Sequence, residues 1–153
     1  MIILSPYSHV MPNGAKNPKT YPFWQKVVDQ LVLNGKKVVQ VGTPNEAPIF
    51  GTETLFGRPW RELLRLVNSP QCETWASVDN FFPHLCSHTN KGGVVVWSRS
   101  DPLIFGYPTN ENLLKSRLYL RPDQFGKWTD CSYMEEALID SSMVVRAIMS
   151  KCN

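Results

Sequence analysis

The stretch YPFWQKVVDQLVLNGKKVVQVG, Tyr21 to Gly42, decides the fold. Trp24, Val27, Val28, Leu31 and Val32 recur at i, i+3, i+4, i+7 and i+8, which is one apolar face of a helix over Tyr21–Asn34. Pro22 suits the first turn and Gly35 the stop. Lys37–Val41 then reads as a strand bounded by Gly42. Upstream, Ile2–Leu4 is a short apolar run ended by Ser5-Pro6, a second strand. Strand, helix, strand within this distance is the βαβ unit of a parallel sheet.

Between them, residues 6–20 hold three prolines, a glycine and two asparagines, a long loop of the kind that tends to carry function. Thr43–Gly57 reads as another loop. Arg58–Asn68 reads as a helix with Pro59 in its first turn, and Ser69-Pro70 ends it. Trp60, Leu63, Leu64 and Val67 form its apolar face, so Trp60, like Trp24, is expected in the core. Glu73–Ser77 is a short strand and Val78–Ser87 a short helix or turn. Gly93–Trp97 is a continuous apolar strand, the kind buried on both faces. Ser98–Ser116 reads as loop and Arg117–Leu120 as a last strand. Ser132–Lys151 reads as a helix, with Ser132 and Glu135 at capping-box spacing. Met134, Ala137, Leu138, Ser141, Val145 and Ile148 give that helix its inner face. The expectation is α/β: a single three-layer Rossmann-like domain over residues 1–153 with a mainly parallel sheet.

Composition narrows the function. The 153 residues carry 16 basic and 13 acidic side chains, a formal charge of +3, with 42% hydrophobic residues. The basic residues are scattered rather than striped, so nucleic acid is not an expected partner. No apolar run reaches the ~20 residues that span a bilayer. The opening Met1-Ile2-Ile3-Leu4-Ser5 has no basic region and no long apolar core, so a cytoplasmic protein without a signal peptide is expected. Cys72, Cys86, Cys131 and Cys152 include no CxxC and read as free thiols. His84 and His88 share the i, i+4 spacing but lack a third ligand, so no metal and no cofactor is expected.

In such sheets, ligands sit beyond the carboxyl ends of the strands. The loops there are Ser5–Thr20, Gly42–Gly57, Ser77–His84 and Ser98–Pro108. No GxGxxG, GxxxxGK[ST] or GxSxG occurs, which disfavours the ordinary dinucleotide, P-loop and hydrolase readings. The sharpest cluster is Ser77-Val78-Asp79-Asn80-Phe81-Phe82-Pro83-His84-Leu85, placed where a strand turns into a helix. Such a turn suits phosphate. Equally, Asp79 could simply cap the helix while His84 packs against the core.

Several segments resemble, in order, the heptosyltransferase-like glycosyltransferases of family nine. They are Ile3-Leu4-Ser5-Pro6 with Lys19-Thr20-Tyr21-Pro22; Val38-Val39-Gln40-Val41-Gly42 with Glu46; Gly57 with Arg61-Glu62-Leu63; the Ser77–Leu85 cluster; and Val94–Trp97 with Ser100-Asp101-Pro102 and Gly106-Tyr107. The resemblance spans roughly residues 1–150. It corresponds to the C-terminal, nucleotide-sugar-binding half of the two-lobed GT-B fold. It implies donor-binding roles for Ser5, Lys19, Glu46, Asp79, Asn80 and His84. Lys19 and Ser5 would contact donor phosphate, Glu46 the ribose or base, and Asp79 would shape the phosphate loop with His84 behind it. Asn80-Phe81 departs from the family's small residue and glycine, and the family's acceptor lobe has no counterpart here.

Three functions follow as expectations. One is a glycosyltransferase part that moves a hexosyl or heptosyl group with the help of a second protein lobe or a second copy. Another is a non-catalytic module that binds or sequesters a nucleotide. The third is a structural protein, such as a viral-particle component, that retains the fold. Candidate general bases are few, Asp79, His84 and His9.

Overall fold

A computed structural model describes residues 1–152; the expected domain boundary at residue 153 lies just outside them. Six strands form one sheet: β1 Ile2–Ser5, β2 Val38–Gly42, β3 Glu53–Phe56, β4 Thr74–Val78, β5 Val94–Trp97 and β6 Glu111–Leu114. Their spatial order is β3-β2-β1-β4-β5-β6, and every pairing is parallel. This is the doubly wound order of the dinucleotide-binding folds, whose direction of winding reverses between β1 and β4. The expected fold class, a Rossmann-like α/β sandwich, is the one observed.

The helices are α1 Trp24–Leu33, α2 Trp60–Asn68, α3 Phe81–Cys86, α4 Pro102–Phe105 and α5 Ser141–Ser150. Strand pleating divides the core in two. Ile2 and Leu4 of β1 point to one face, where α1 and α5 cover them with Trp24, Val27, Val28, Leu31, Val144 and Ile148. Ile3 points to the other, against Val67, Trp75, Phe82 and Leu85. Trp75, wholly buried, donates from Nε1 to the Lys91 carbonyl at 2.8 Å and lies against the backbone of Gly93. Gly35 ends the α1 segment at φ 72°, in the left-handed region that glycine enters freely.

Several expected elements differ. Pro22 and Pro59 lie ahead of α1 and α2 rather than in their first turns. Val32, placed on the α1 inner face by spacing, is exposed. The expected loop 43–57 contains β3, an edge strand whose Glu53 and Thr54 face solvent. The expected loop 98–116 contains α4 and β6. The Asn112 side chain in β6 accepts from Trp97 Nε1 at 2.9 Å and donates to the Tyr107 carbonyl at 3.0 Å, so a polar residue is satisfied within the strand. Arg117–Tyr119 is a 3-10 turn, not a strand. The Arg117 guanidinium draws it onto Asp101, with bonds of 3.0 and 2.5 Å.

The C-terminal helix begins at Ser141, and the Ser132–Glu135 capping box does not form. Residues 135–137 make a 3-10 turn, and Leu138 and Ile139 are buried in extended chain. Buried Tyr21 donates its hydroxyl to the Ile139 carbonyl at 3.0 Å, a bond that a helix at this position would remove.

Candidate functional site

The carboxyl ends of β1, β2 and β4 open into one cleft of about 1200 Å³. Ser5, Lys19, Glu46, Asp79, Asn80 and His84 all line it. The six residues singled out in the sequence therefore share a single space, at the reversal of the sheet.

Asn80 is the keystone of the floor. Ser5 and Ser77 are register partners at the ends of β1 and β4. The Asn80 amide reaches back from β4 to donate to Ser5 Oγ at 3.0 Å, the Ser5 carbonyl at 3.2 Å and the Tyr7 carbonyl at 2.9 Å. Its Oδ1 accepts from Phe82 N at 2.8 Å, so Asn80, not Asp79, is the cap of α3.

Asp79 is almost buried and makes charged contacts. Its Oδ2 accepts from Ser100 Oγ at 2.5 Å and lies 2.9 Å from Lys19 Nζ. Lys19 projects from a braced loop: its amide donates to Asn17 Oδ1 at 2.8 Å, and Ser98 at the end of β5 donates to the Pro18 carbonyl at 2.7 Å. The Lys19 ammonium also sits 4.5 Å from the ring centre of Trp128. Arg121 stacks on that same ring at 3.7 Å.

Glu46 folds back on its own loop. Its Oε1 accepts from Thr43 N at 3.1 Å and Thr43 Oγ1 at 3.2 Å. Its carboxylate rests on Gly42, where a Cβ would come within 1.9 Å of Oε2, so a larger residue at 42 would make the Glu46 side chain move aside. Burial, and then the Glu46 carboxylate, push the Tyr7 phenol above its usual pKa, which keeps it a proton donor at the cleft.

His84 is exposed rather than packed in the core. Its Nδ1 lies 3.0 Å from Tyr107 Oη, with the two rings edge to face. His88 falls beyond the end of α3, so the two histidines do not share a helical face. Among the described residues no group of three or more His, Cys, Asp or Glu is placed to hold a metal ion.

Sequence reasoning did not single out Arg58, Lys127 and Trp128, which also line the cleft, and it assigned Trp60 to the core. Trp60 is 53% exposed at the cleft, and Phe81 is 62% exposed beside it. Arg58 stands 3.7 Å from Glu62. Lys127 has no carboxylate partner among the described residues. A basic residue beside an aromatic one after Gly126 is the one local signal that could have drawn attention to this loop. Cations and exposed rings around a recess suit an anionic ligand with a flat aromatic part.

No protein-family profile and no curated protein sequence matches the chain. Solved structures do. A glycosyl transferase of family 9 from Veillonella parvula DSM 2008 superposes with a TM-score of 0.73 at 17% identity, over 99% of this chain and 45% of that one. The E. coli ADP-heptose LPS heptosyltransferase II gives 0.69 at 16% identity, over 98% of this chain and 45% of that one. E. coli heptosyltransferase WaaC, solved with ADP, gives 0.64 at 13% identity, over 99% and 44%. The chain thus has a glycosyltransferase-like fold and spans less than half the length of each of these proteins. No helix among the described residues is long and apolar enough to cross a membrane.

Proposed function

We propose that this chain is a nucleotide-binding lobe whose cleft takes a nucleoside diphosphate, free or as the leaving part of a nucleotide-sugar. The observation that carries the reading is the cleft at the reversal of the sheet in a fold shared with glycosyltransferases, lined by Lys19, Arg58 and Lys127, by exposed Trp60 and by half-buried Trp128. The cations would neutralise the diphosphate, and a ring would stack on the base. Ser5 and Asn80 would hold the floor, Glu46 would meet the ribose or base, and His84 would stand at the rim with Tyr107. The structural neighbours named for ADP-heptose and solved with ADP make adenine the first base to test.

Sugar transfer would need more than this lobe. Departure of a nucleoside diphosphate develops negative charge on its phosphate, which the cleft cations can stabilise. Activation of an acceptor hydroxyl needs a base. Both cleft carboxylates are engaged, Glu46 by Thr43 and Asp79 by Ser100 and Lys19. That engagement leaves His9 and His84 as the other bases lining the cleft, and it favours binding over self-sufficient chemistry, with the acceptor supplied by a second lobe.

A thermal-shift panel of nucleoside diphosphates and their sugar conjugates tests the reading. A ligand at a hundred times its dissociation constant adds roughly 2.7 kcal/mol. For a chain of this size that raises Tm by about 5–11 °C. Lys19→Ala and Lys127→Ala should each reduce the shift without unfolding the protein. A flat response to every compound sinks the proposal and leaves a structural role for the fold.

A further inference from the structure

Lys19 and Asp79 form a pair in which the carboxylate has a second hydrogen-bond donor and the ammonium ends a long unbranched stem. The carboxylate Oδ2 accepts from Ser100 Oγ at 2.5 Å, and the Asp79 backbone is held separately by Ser8 Oγ, which donates to its carbonyl at 3.2 Å. The side chains are 20% and 10% exposed, lysine first. The ammonium rides on a flexible four-carbon stem from a braced backbone, and its neighbours are Asp79 and the Trp128 ring. Asp79 stays where it is; Lys19 is free to turn toward anything that outcompetes it.

Resting on the nucleotide-binding reading above, we infer that Asp79 acts as a resident competitor for the ligand's phosphate: it occupies Lys19 until an anion of higher charge takes the ammonium away. The carboxylate offers one negative charge, and a nucleoside diphosphate offers more. Coulomb attraction to one ammonium grows with the charge that approaches it. A diphosphate draws Lys19 off Asp79, while an uncharged nucleoside leaves the pair closed. In the closed state neither charge is left unpaired in the half-buried floor, a condition that is costly to violate. The pair thereby sets a charge threshold on what the cleft retains. Asp79 acts on specificity through Lys19 rather than by touching the ligand.

Calorimetric titration of the full chain with ADP, inorganic pyrophosphate and adenosine tests this. The proteins are the wild type, Asp79→Asn and the double variant Asp79→Asn with Lys19→Met. Circular dichroism checks that each is folded, and Asp79→Ser replaces the asparagine variant should that one fail to fold. In Asp79→Asn, ADP and pyrophosphate should bind roughly fivefold tighter or more, with a steeper salt dependence. Adenosine should be unaffected, and the gain should vanish in the double variant. ADP binding that weakens or stays level in Asp79→Asn overturns the inference and leaves nucleotide binding intact. Pyrophosphate binding gained in Asp79→Asn, with no nucleotide bound by any form, supports the competitor and overturns the nucleotide reading. No anion bound by any form overturns both.

Discussion

The side-chain amide of Asn80 donates to the Ser5 hydroxyl at 3.0 Å, joining residues 75 apart in the chain across the point where the sheet reverses its winding. Asn80→Ala removes two N–H donors shared among three oxygens, and the cap of α3 with them. Loss of an asparagine cap alone costs about 0.5–2 kcal/mol. With the cross-strand bonds gone as well, the expected loss is about 2 kcal/mol, or a Tm lower by about 4–8 °C. Differential scanning calorimetry reads it directly. A loss below the cap value would mean that water replaces the amide without cost.

Gly93 is a packing position. A Cβ there would meet the Trp75 ring atoms at 2.1 to 2.5 Å, and that indole is wholly buried with its Nε1 tied to Lys91. Overpacking of this kind costs about 1–3 kcal/mol. Gly93→Ala should lower the urea midpoint with an unchanged slope. A neutral result would show that Trp75 can turn within its core.

Glu73 governs acid stability. Its carboxylate pairs with Lys36 and accepts from the Met1 ammonium at 2.6 Å, and these bonds, the lysine's first, lower its pKa to about 2. A carboxylate depressed in the folded state stabilises the fold above its unfolded pKa. That contribution is full above about pH 4.5, begins to fail below it and is lost as the pH falls through about 2. Because the site is partly open to solvent, the expected size is about 1 kcal/mol. Glu73→Gln should flatten this limb of the stability–pH curve between pH 5 and 2, measured by urea unfolding. An identical limb in the variant would assign acid sensitivity to other carboxylates.

Much of the fold was legible because its central strands and α1 obey simple periods. Ile2–Leu4, Val94–Trp97 and the Trp24–Leu31 face could hardly pack otherwise. The edge strands were not legible. β3 and β6 have four residues each, and their polar members are satisfied by solvent or by neighbours such as Trp97, which no local pattern records. The Ser132–Glu135 spacing misled for a similar reason: the distant Tyr21 hydroxyl needs the chain extended at Ile139. For the candidate site, location was readable and pairing was not. Residues that follow parallel strands must gather at one end of the sheet, so Ser5, Glu46, Asp79 and Asn80 converge. That Lys19 would settle on Asp79, or that Trp60 would leave the core for the cleft, depends on side-chain geometry that one-dimensional spacing does not carry.

The strand order also governs when the cleft comes into being. β1 lies between β2 and β4, and four of its seven register pairings are with β4, later in the chain. Contacts between such distant segments are slow to form, because a long loop must close before they reward it. The first βαβ unit can gather early, but the Ser5–Asn80 floor exists only after β4 docks on the far side of β1. If the cleft takes a nucleotide as proposed, competence to hold it is acquired late in folding, with the closing of the central strand pair, and a bound ligand would act chiefly as a brake on the reopening of that seam.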